Sequence, residues 1–187
     1  MGIGSKIKNK AVFLDRDGVL NNAKVVLNRP YPPTNLEEMQ ILPGVHEGIQ
    51  LLKYAGYKLI VITNQPDVAR GTADIDVVNA MNNYILSELG IDEIKCCFHD
   101  DLDNCSCRKP KPGMIHEAKK KWHIDLDLSF LVGDRWRDIE TAKNTSITTI
   151  LIDNHYDEKK VNADFECSNF EEAVNFILKT NQNQSNE

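Results

Sequence analysis

Four short apolar runs alternate with segments of helical periodicity, and this alternation constrains the fold more than any other feature of the 187-residue sequence. The runs are apolar throughout, which is typical of strands buried on both faces of a parallel sheet. We predict such strands at 11–14, 58–63, 129–132 and 148–152, with helices at 44–55, 75–89, 113–122, 138–144 and 169–179. Helices between parallel strands cover both faces of the sheet. The pattern therefore predicts an α/β fold, a Rossmann-like three-layer sandwich with a mainly parallel sheet.

The spacing of these elements predicts one domain over residues 1–179, since no segment between them is long enough for a large cap domain. Residues 180–187 are polar and lack a hydrophobic pattern, so we expect a disordered tail there. Three prolines between positions 30 and 33 exclude a regular helix. We expect residues 21–40 to form an ordered surface loop.

The net charge is −6, from 22 basic and 28 acidic residues. An acidic protein has no general electrostatic attraction for nucleic acid or for an anionic membrane surface, so we expect neither as a partner. The sequence has no apolar run near the roughly 20 residues that span a bilayer, and its first residues lack the apolar core of a secretory signal. We expect a cytoplasmic location, and we expect the protein to be a monomer.

Two carboxylates follow the first predicted strand, at the edge where parallel sheets bind their ligands. Asp15 and Asp17 are two residues apart, and Gly18 permits a sharp turn after them. Neighbouring carboxylates repel each other unless a cation or a shared proton compensates, and Mg²⁺ prefers oxygen ligands. The pattern favours a magnesium site, and the alternative is a surface turn with two solvated aspartates.

Other polar residues follow later in the chain at comparable places. Thr63 ends the second predicted strand, and Asp134 follows the third, with Asp138 four residues further on near a helix start. Arg108 and Lys109 could bind phosphate through a planar fork and a point charge. Each has an ordinary alternative: threonine suits strand ends, aspartate favours a helix N-terminus, and the two cations could form a solvated patch.

Four of the five cysteines lie between positions 96 and 107, together with His99. In a reducing compartment clustered cysteines are metal ligands more often than disulfide partners. The alternatives are chance clustering and a redox pair.

Taken in order, these features resemble the haloacid-dehalogenase-like phosphohydrolase superfamily over roughly residues 10–153. Its four motifs match Asp15-Arg16-Asp17-Gly18, Thr63-Asn64-Gln65, Lys109, and Gly133-Asp134 with Asp138. More narrowly, "FLDRDGVLN", "TNQPDVARG", "CRKPKPGM" and "VGD" resemble the D-glycero-D-manno-heptose 1,7-bisphosphate 7-phosphatase group, which includes histidinol-phosphate phosphatases.

The resemblance implies a mechanism through an aspartyl-phosphate. Asp15 attacks phosphorus, while Asp17 protonates the leaving alkoxide and then deprotonates the hydrolytic water. Thr63 and Lys109 stabilise the transferring phosphoryl group. The implied Mg²⁺ ligands are Asp15, the backbone carbonyl of Asp17 and Asp134, with Asp138 nearby or acting through water. The implied substrate is a small phosphomonoester, above all a sugar bisphosphate, whose non-reacting phosphate contacts Arg108; the weaker candidates for substrate binding are Asn64, Gln65 and Arg70.

The resemblance also selects a zinc site from the cysteine-rich loop. Its pattern implies the four ligands Cys97, His99, Cys105 and Cys107, a closed set of the structural type. The loop ends at Arg108 and Lys109, so zinc would fix those two cations for the substrate without taking part in the chemistry.

Three alternatives remain open from the residues themselves. The substrate could be histidinol phosphate or another sugar phosphate instead of a heptose bisphosphate, or the protein could bind phosphate without catalysis. Arg135, Trp136 and Arg137 could contact the substrate, or the two arginines could be solvated around a packed tryptophan.

Overall fold

The computed structural model describes residues 8–143 and 145–184. The strands are β1 (Ala11–Leu14), β2 (Lys24–Val26), β3 (Arg29–Tyr31), β4 (Lys58–Asn64), β5 (Glu93–Cys97), β6 (Phe130–Gly133), β7 (Thr148–Ile152) and β8 (Phe165–Cys167). The helices are α1 (Val45–Tyr54), α2 (Ile75–Leu89), α3 (Gly113–Trp122), α4 (Trp136–Ala142) and α5 (Phe170–Gln184).

Six of the strands form one parallel sheet in the order β5-β4-β1-β6-β7-β8. The first strand of the chain lies at the centre, with β4 on one side and β6 on the other. This order places the carboxyl ends of β4, β1 and β6 side by side at one edge. The predicted α/β fold is confirmed.

Side chains of β1 alternate between the two faces of the sheet. Val12 and Leu14 belong to a core that also contains buried residues of α1, α2 and α5. Ala11 and Phe13 belong to a second core, formed with α3 and α4. The sheet is therefore buried on both faces between two helical layers, which explains why its central strands are apolar throughout.

Several elements differ from the prediction. The loop expected at 21–40 carries the β2–β3 hairpin, whose turn residues Leu27 and Asn28 both have positive φ. Strands β5 and β8, at the two edges of the sheet, were not predicted. Helix α4 begins two residues earlier than expected, at Trp136, and α5 continues to Gln184. Helix α5 therefore includes 180–184 of the predicted tail, and 185–187 lie outside the described residues.

Within the described part of the chain, no helix is long and apolar enough to cross a membrane.

Candidate active site

Three carboxylates converge at the edge formed by the ends of β1 and β6. Asp15 follows β1, Asp134 follows β6, and Asp138 lies in the first turn of α4. One oxygen from each lies within 4.8 Å of the others. Residues more than 100 positions apart in the sequence thus form one acidic cluster.

The burial and the unpaired oxygen of Asp134 indicate that the acidic cluster binds a cation. The residue is 5% exposed, and its Oδ1 has no hydrogen-bond partner among the described residues. Burial, followed by repulsion from Asp15 and Asp138, raises the pKa of Asp134 well above its ordinary value. Burial and repulsion from Asp138 likewise raise the pKa of Asp15 to about 6. A hard cation would satisfy the bare oxygen and remove the repulsion, so these residues fit Mg²⁺.

Gly18 allows the turn after β1 to approach this cluster. Its φ is +84°, and a Cβ at this position would lie 1.9 Å from Asp134 Oδ2. Any larger residue would displace the carboxylate, so glycine is required here for both conformation and space.

Lys109 bridges two of the three carboxylates. Its Nζ lies 2.8 Å from Asp15 Oδ1 and 2.6 Å from Asp138 Oδ1, and it donates to the Ile62 carbonyl oxygen at 2.7 Å. Burial alone would lower the pKa of Lys109, but Asp138 and Asp15 outweigh it and raise the pKa above its ordinary value. When the three carboxylates are ionised, one ammonium leaves two negative charges, which a divalent cation balances.

The side chain of Asp17 lies outside the acidic cluster and is bound by three neighbours. The guanidinium of Arg16, which is completely buried, contacts both of its oxygens, at 3.1 and 3.0 Å. Asn21 donates to Oδ1 at 2.9 Å, and Gln65 donates to Oδ2 at 2.8 Å. Every partner is a donor, so these contacts fix the orientation of the Asp17 carboxylate.

Two predicted substrate-binding residues, Asn64 and Gln65, contact catalytic candidates, and Asn64 also lines the active-site cavity. The Asn64 amide accepts from the backbone nitrogen of Lys109 and donates to its carbonyl oxygen, both at 3.1 Å. Gln65 is 3% exposed and bridges Asp17 and the hydroxyl of Thr63. Thr63 lines the active-site cavity and is itself buried.

A cavity of about 480 Å³ opens above these groups. Its walls come from the β2–β3 hairpin, the cysteine-rich loop, the start of α4 and the segment after β7. Arg70 lines it but is paired with Asp100 and Asp67. Arg108 and Arg137 also line it, and both contact the same oxygen, Asp101 Oδ1, at 2.8 and 3.5 Å.

The start of α4 supplies Arg137 and two further lining residues, Arg135 and Trp136. Trp136 carries two cations over its ring, Arg137 at 4.6 Å and Lys159 at 4.8 Å. Arg135 forms an ion pair with Glu158 through both carboxylate oxygens. Trp136 and Arg137 thus line the cavity, while the charge of Arg135 is neutralised by Glu158.

The four predicted zinc ligands also converge. Cys107 Sγ lies 3.2 Å from Cys97 Sγ, 3.4 Å from Cys105 Sγ and 3.4 Å from His99 Nδ1. A tetrahedron with Zn–S bonds of about 2.3 Å has edges of about 3.8 Å, close to this spacing. All five cysteines are free, and the sulfurs are too far apart for disulfides. The cluster joins the end of β5 to the residue that precedes Arg108.

The sequence predictions omitted several residues that shape the site. Arg16 and Asn21 bind Asp17, and their position beside it was the available signal. Asn154, in the segment that follows β7, contacts Asp134 and the hydroxyl of Tyr156. Like the predicted site residues, Asn154 and Tyr156 lie just beyond the carboxyl end of a parallel strand.

Comparison with known proteins identifies the family. A family model described as haloacid dehalogenase-like hydrolase matches residues 23–145. The chain belongs to the haloacid dehalogenase-like hydrolases. The family predicted from the ordered motifs is thereby confirmed.

Relatives within this family share most of the length of the chain. It is 34% identical over 175 residues to the D-glycero-beta-D-manno-heptose-1,7-bisphosphate 7-phosphatase of Helicobacter pylori, covering 90% of this chain and 97% of that one. It is 33% identical over 178 residues to the corresponding alpha-heptose enzyme of Campylobacter jejuni, covering 91% and 97%. The crystal structure of D,D-heptose 1,7-bisphosphate phosphatase from B. bronchiseptica, complexed with magnesium and phosphate, has a TM-score of 0.78 and 27% identity, covering 91% and 99%.

Proposed function

We propose that this hydrolase is a Mg²⁺-dependent phosphatase that removes the 7-phosphate of a D-glycero-D-manno-heptose 1,7-bisphosphate, acting as a cytoplasmic monomer. The observation that carries the proposal is the convergence of Asp15, Asp134, Asp138 and Lys109 at one edge of the sheet. The named relatives, which include both beta- and alpha-heptose enzymes, supply the substrate class.

In the proposed reaction, an oxygen of Asp15 attacks phosphorus and the bond to the bridging oxygen of the sugar breaks. Asp17 gives its proton to the leaving alkoxide. A water then attacks the aspartyl-phosphate and gives its proton to Asp17, which releases phosphate and regenerates Asp15. Lys109 and Thr63 stabilise the charge on the transferring group.

Magnesium would be held by Asp15, Asp134, Asp138 and the backbone carbonyl of Asp17, and it would neutralise charge on the phosphoryl oxygens. Within the chain, Lys109 keeps Asp15 in place, and Asn64 fixes the backbone of Lys109. Gln65 and Arg16 orient Asp17. These contacts arrange the reacting groups before the substrate arrives, which is where most of the rate gain in phosphoryl transfer originates.

The second phosphate of the substrate would bind at Arg108 and Arg137. Both guanidinium groups already contact one carboxylate oxygen, that of Asp101, so this part of the cavity suits an anion. Asp101 is exposed, with 58% of its side-chain surface accessible, and a phosphate could displace it. A monophosphate such as histidinol phosphate has no second anionic group for these arginines.

Phosphate release from a panel of substrates tests the proposal. The panel holds both anomers of heptose 1,7-bisphosphate, histidinol phosphate and p-nitrophenyl phosphate, each with and without Mg²⁺. We expect kcat/KM for a heptose bisphosphate to exceed that for histidinol phosphate by at least about 10²-fold, because only the bisphosphate brings a second phosphate to Arg108 and Arg137. A higher value for histidinol phosphate would overturn the substrate assignment, and background rates throughout would support a non-catalytic phosphate-binding protein.

Magnesium should stabilise the fold by relieving the repulsion in the acidic cluster. At a concentration about 100 times the Kd, the expected gain is about 2.7 kcal/mol, or roughly 5–10 °C in Tm for a chain of this size. The Asp134→Asn variant, which keeps the shape but removes one charge, should lose this gain and keep or raise the Tm of the magnesium-free protein. Thermal unfolding with increasing Mg²⁺ measures both effects, and an unchanged gain in the variant would exclude Asp134 as a ligand.

The magnesium gain should also depend on pH. Because the pKa of Asp15 is raised to about 6, the magnesium-free fold loses stability as the pH rises through that value and the carboxylates become charged. The gain on adding Mg²⁺ should therefore be larger at pH 7.5 than at pH 5, where protons compete with the ion.

A further inference from the structure

The segment 153–159, which follows β7, makes contacts with the acidic cluster that the proposed mechanism does not use. Asn154 Nδ2 lies 3.4 Å from Asp134 Oδ2 and 3.2 Å from the hydroxyl oxygen of Tyr156. The Tyr156 hydroxyl oxygen lies beside the same carboxylate, since a Cβ on Gly18 would be 3.1 Å from it and 1.9 Å from Asp134 Oδ2. Since its oxygen accepts from Asn154, its own proton is free to point at Asp134.

These contacts divide the two oxygens of Asp134 into different roles. Asn154 reaches Oδ2, while Oδ1 has no partner among the residues that the structure describes. In this arrangement Oδ2 is hydrogen-bonded within the protein, and Oδ1 is left to bind a cation. Mg²⁺ accepts single oxygens in a strict octahedron, whereas Ca²⁺ has a larger, flexible shell that often takes both oxygens of a carboxylate.

The segment is anchored at Asn154 and again just after Tyr156. Asn154 Nδ2 also donates to the Gly18 carbonyl oxygen at 3.1 Å, which ties the segment to the turn after β1. The backbone nitrogen of Asp157 donates to the Asn28 carbonyl oxygen at 2.8 Å, in the β2–β3 hairpin. Glu158 is paired with Arg135 at the start of α4. Anchors on three separate elements fix the position of the Tyr156 hydroxyl.

We propose that Tyr156 and Asn154 are positioning residues for magnesium, and that they hold Asp134 Oδ2 so that the carboxylate offers the ion a single oxygen. The proposal rests on the magnesium-dependent function proposed above. It adds that the choice of Mg²⁺ over Ca²⁺ depends on side chains that do not touch the ion. Partners that orient metal ligands typically contribute 10–100-fold to metal affinity.

The Tyr156→Phe variant tests this inference because it removes only the hydroxyl group. Calorimetric titration of the substrate-free, zinc-loaded protein with Mg²⁺ or Ca²⁺ gives both affinities without any turnover. The protein is freed of magnesium by dialysis, because a chelator would also strip zinc. We expect the Kd for Mg²⁺ to rise by about tenfold or more, with a smaller change for Ca²⁺. The Asn154→Ala variant should shift both affinities in the same directions.

Tyr54→Phe is the matched control, since Tyr54 is 95% exposed on α1, remote from the site. It should leave both affinities unchanged, and the Tm of the magnesium-free Tyr156→Phe protein should match the wild type within a few degrees. An unchanged Mg²⁺ affinity in Tyr156→Phe would overturn the inference, and so would equal losses for Mg²⁺ and Ca²⁺. Failure of the wild type to bind Mg²⁺ would instead overturn the proposed function itself.

Discussion

The Asp15→Asn variant should lose on the order of 10⁴-fold or more in kcat, the scale expected when a covalent nucleophile is removed. The asparagine side chain has the shape of the carboxylate and can still accept a hydrogen bond from Lys109. The loss of kcat would therefore reflect the missing nucleophile and not altered packing. Asn cannot form the phosphorylated intermediate, because its neutral oxygen is a poor nucleophile. Steady-state phosphate release from a heptose bisphosphate and from p-nitrophenyl phosphate measures the effect.

A stability measurement separates this effect from unfolding. The variant removes one of three mutually repelling carboxylates, so its Tm without magnesium should equal or exceed that of the wild type. Asp76→Asn, an exposed aspartate on α2, is the control and should keep wild-type kcat. A kcat for Asp15→Asn within tenfold of the wild type would rule out Asp15 as the nucleophile.

The central strands were predictable because burial on both faces leaves a continuous apolar run. Strand β1 and strand β7 match their predicted bounds, and β4 extends one residue further. Edge strands carry a weaker signal: β5 reads "EIKCC", half-buried and charged, and β8 has only three residues. A run of apolar residues therefore identifies a strand only where the strand is buried in the fold.

The hairpin was missed for a different reason. Its two-residue turn has positive φ at Leu27 and Asn28, which the usual Asn-Gly or Asp-Gly signal would have indicated. Neither dipeptide occurs there, and the prolines at 30 and 32 pointed to a loop. Two short, exposed strands that pair through their backbones therefore have no characteristic pattern in the sequence.

The acidic cluster could be predicted because its residues directly follow strands of one parallel sheet. Topology alone brings Asp15 and Asp134 together once β1 and β6 are neighbours. Secondary contacts could not be predicted in this way. Gln65 is buried and turns inward to donate to Asp17 and Thr63, a rotamer that no pattern in the sequence indicates.

The Cys107→Ser variant should have the second large effect, through a residue that does not touch the substrate. Structural zinc contributes about 10–16 kcal/mol in small zinc domains, and serine is a poor fourth ligand. Loss of the ion would release the polar loop 97–107, which has little apolar surface to hold it. Lys109 and Arg108 follow this loop directly, and a displacement of about 1 Å at a catalytic group can cost 10²-fold. We therefore expect the zinc content to fall well below one per chain and kcat to fall by about 10²-fold.

Cys167→Ser is the matched control for this prediction. Cys167 is also a free thiol, but it is buried on β8 and hydrogen-bonds the carbonyl oxygens of Leu151 and Asn169, which serine can also do. It should keep both zinc and activity. Elemental analysis and steady-state kinetics on the same preparations link the two quantities. If zinc organises the catalytic cations, activity must follow zinc content across the variants. A zinc-free Cys107→Ser protein with wild-type kcat would contradict this. It would show that Asp15, Asp138 and Asn64 hold Lys109 without help from the loop.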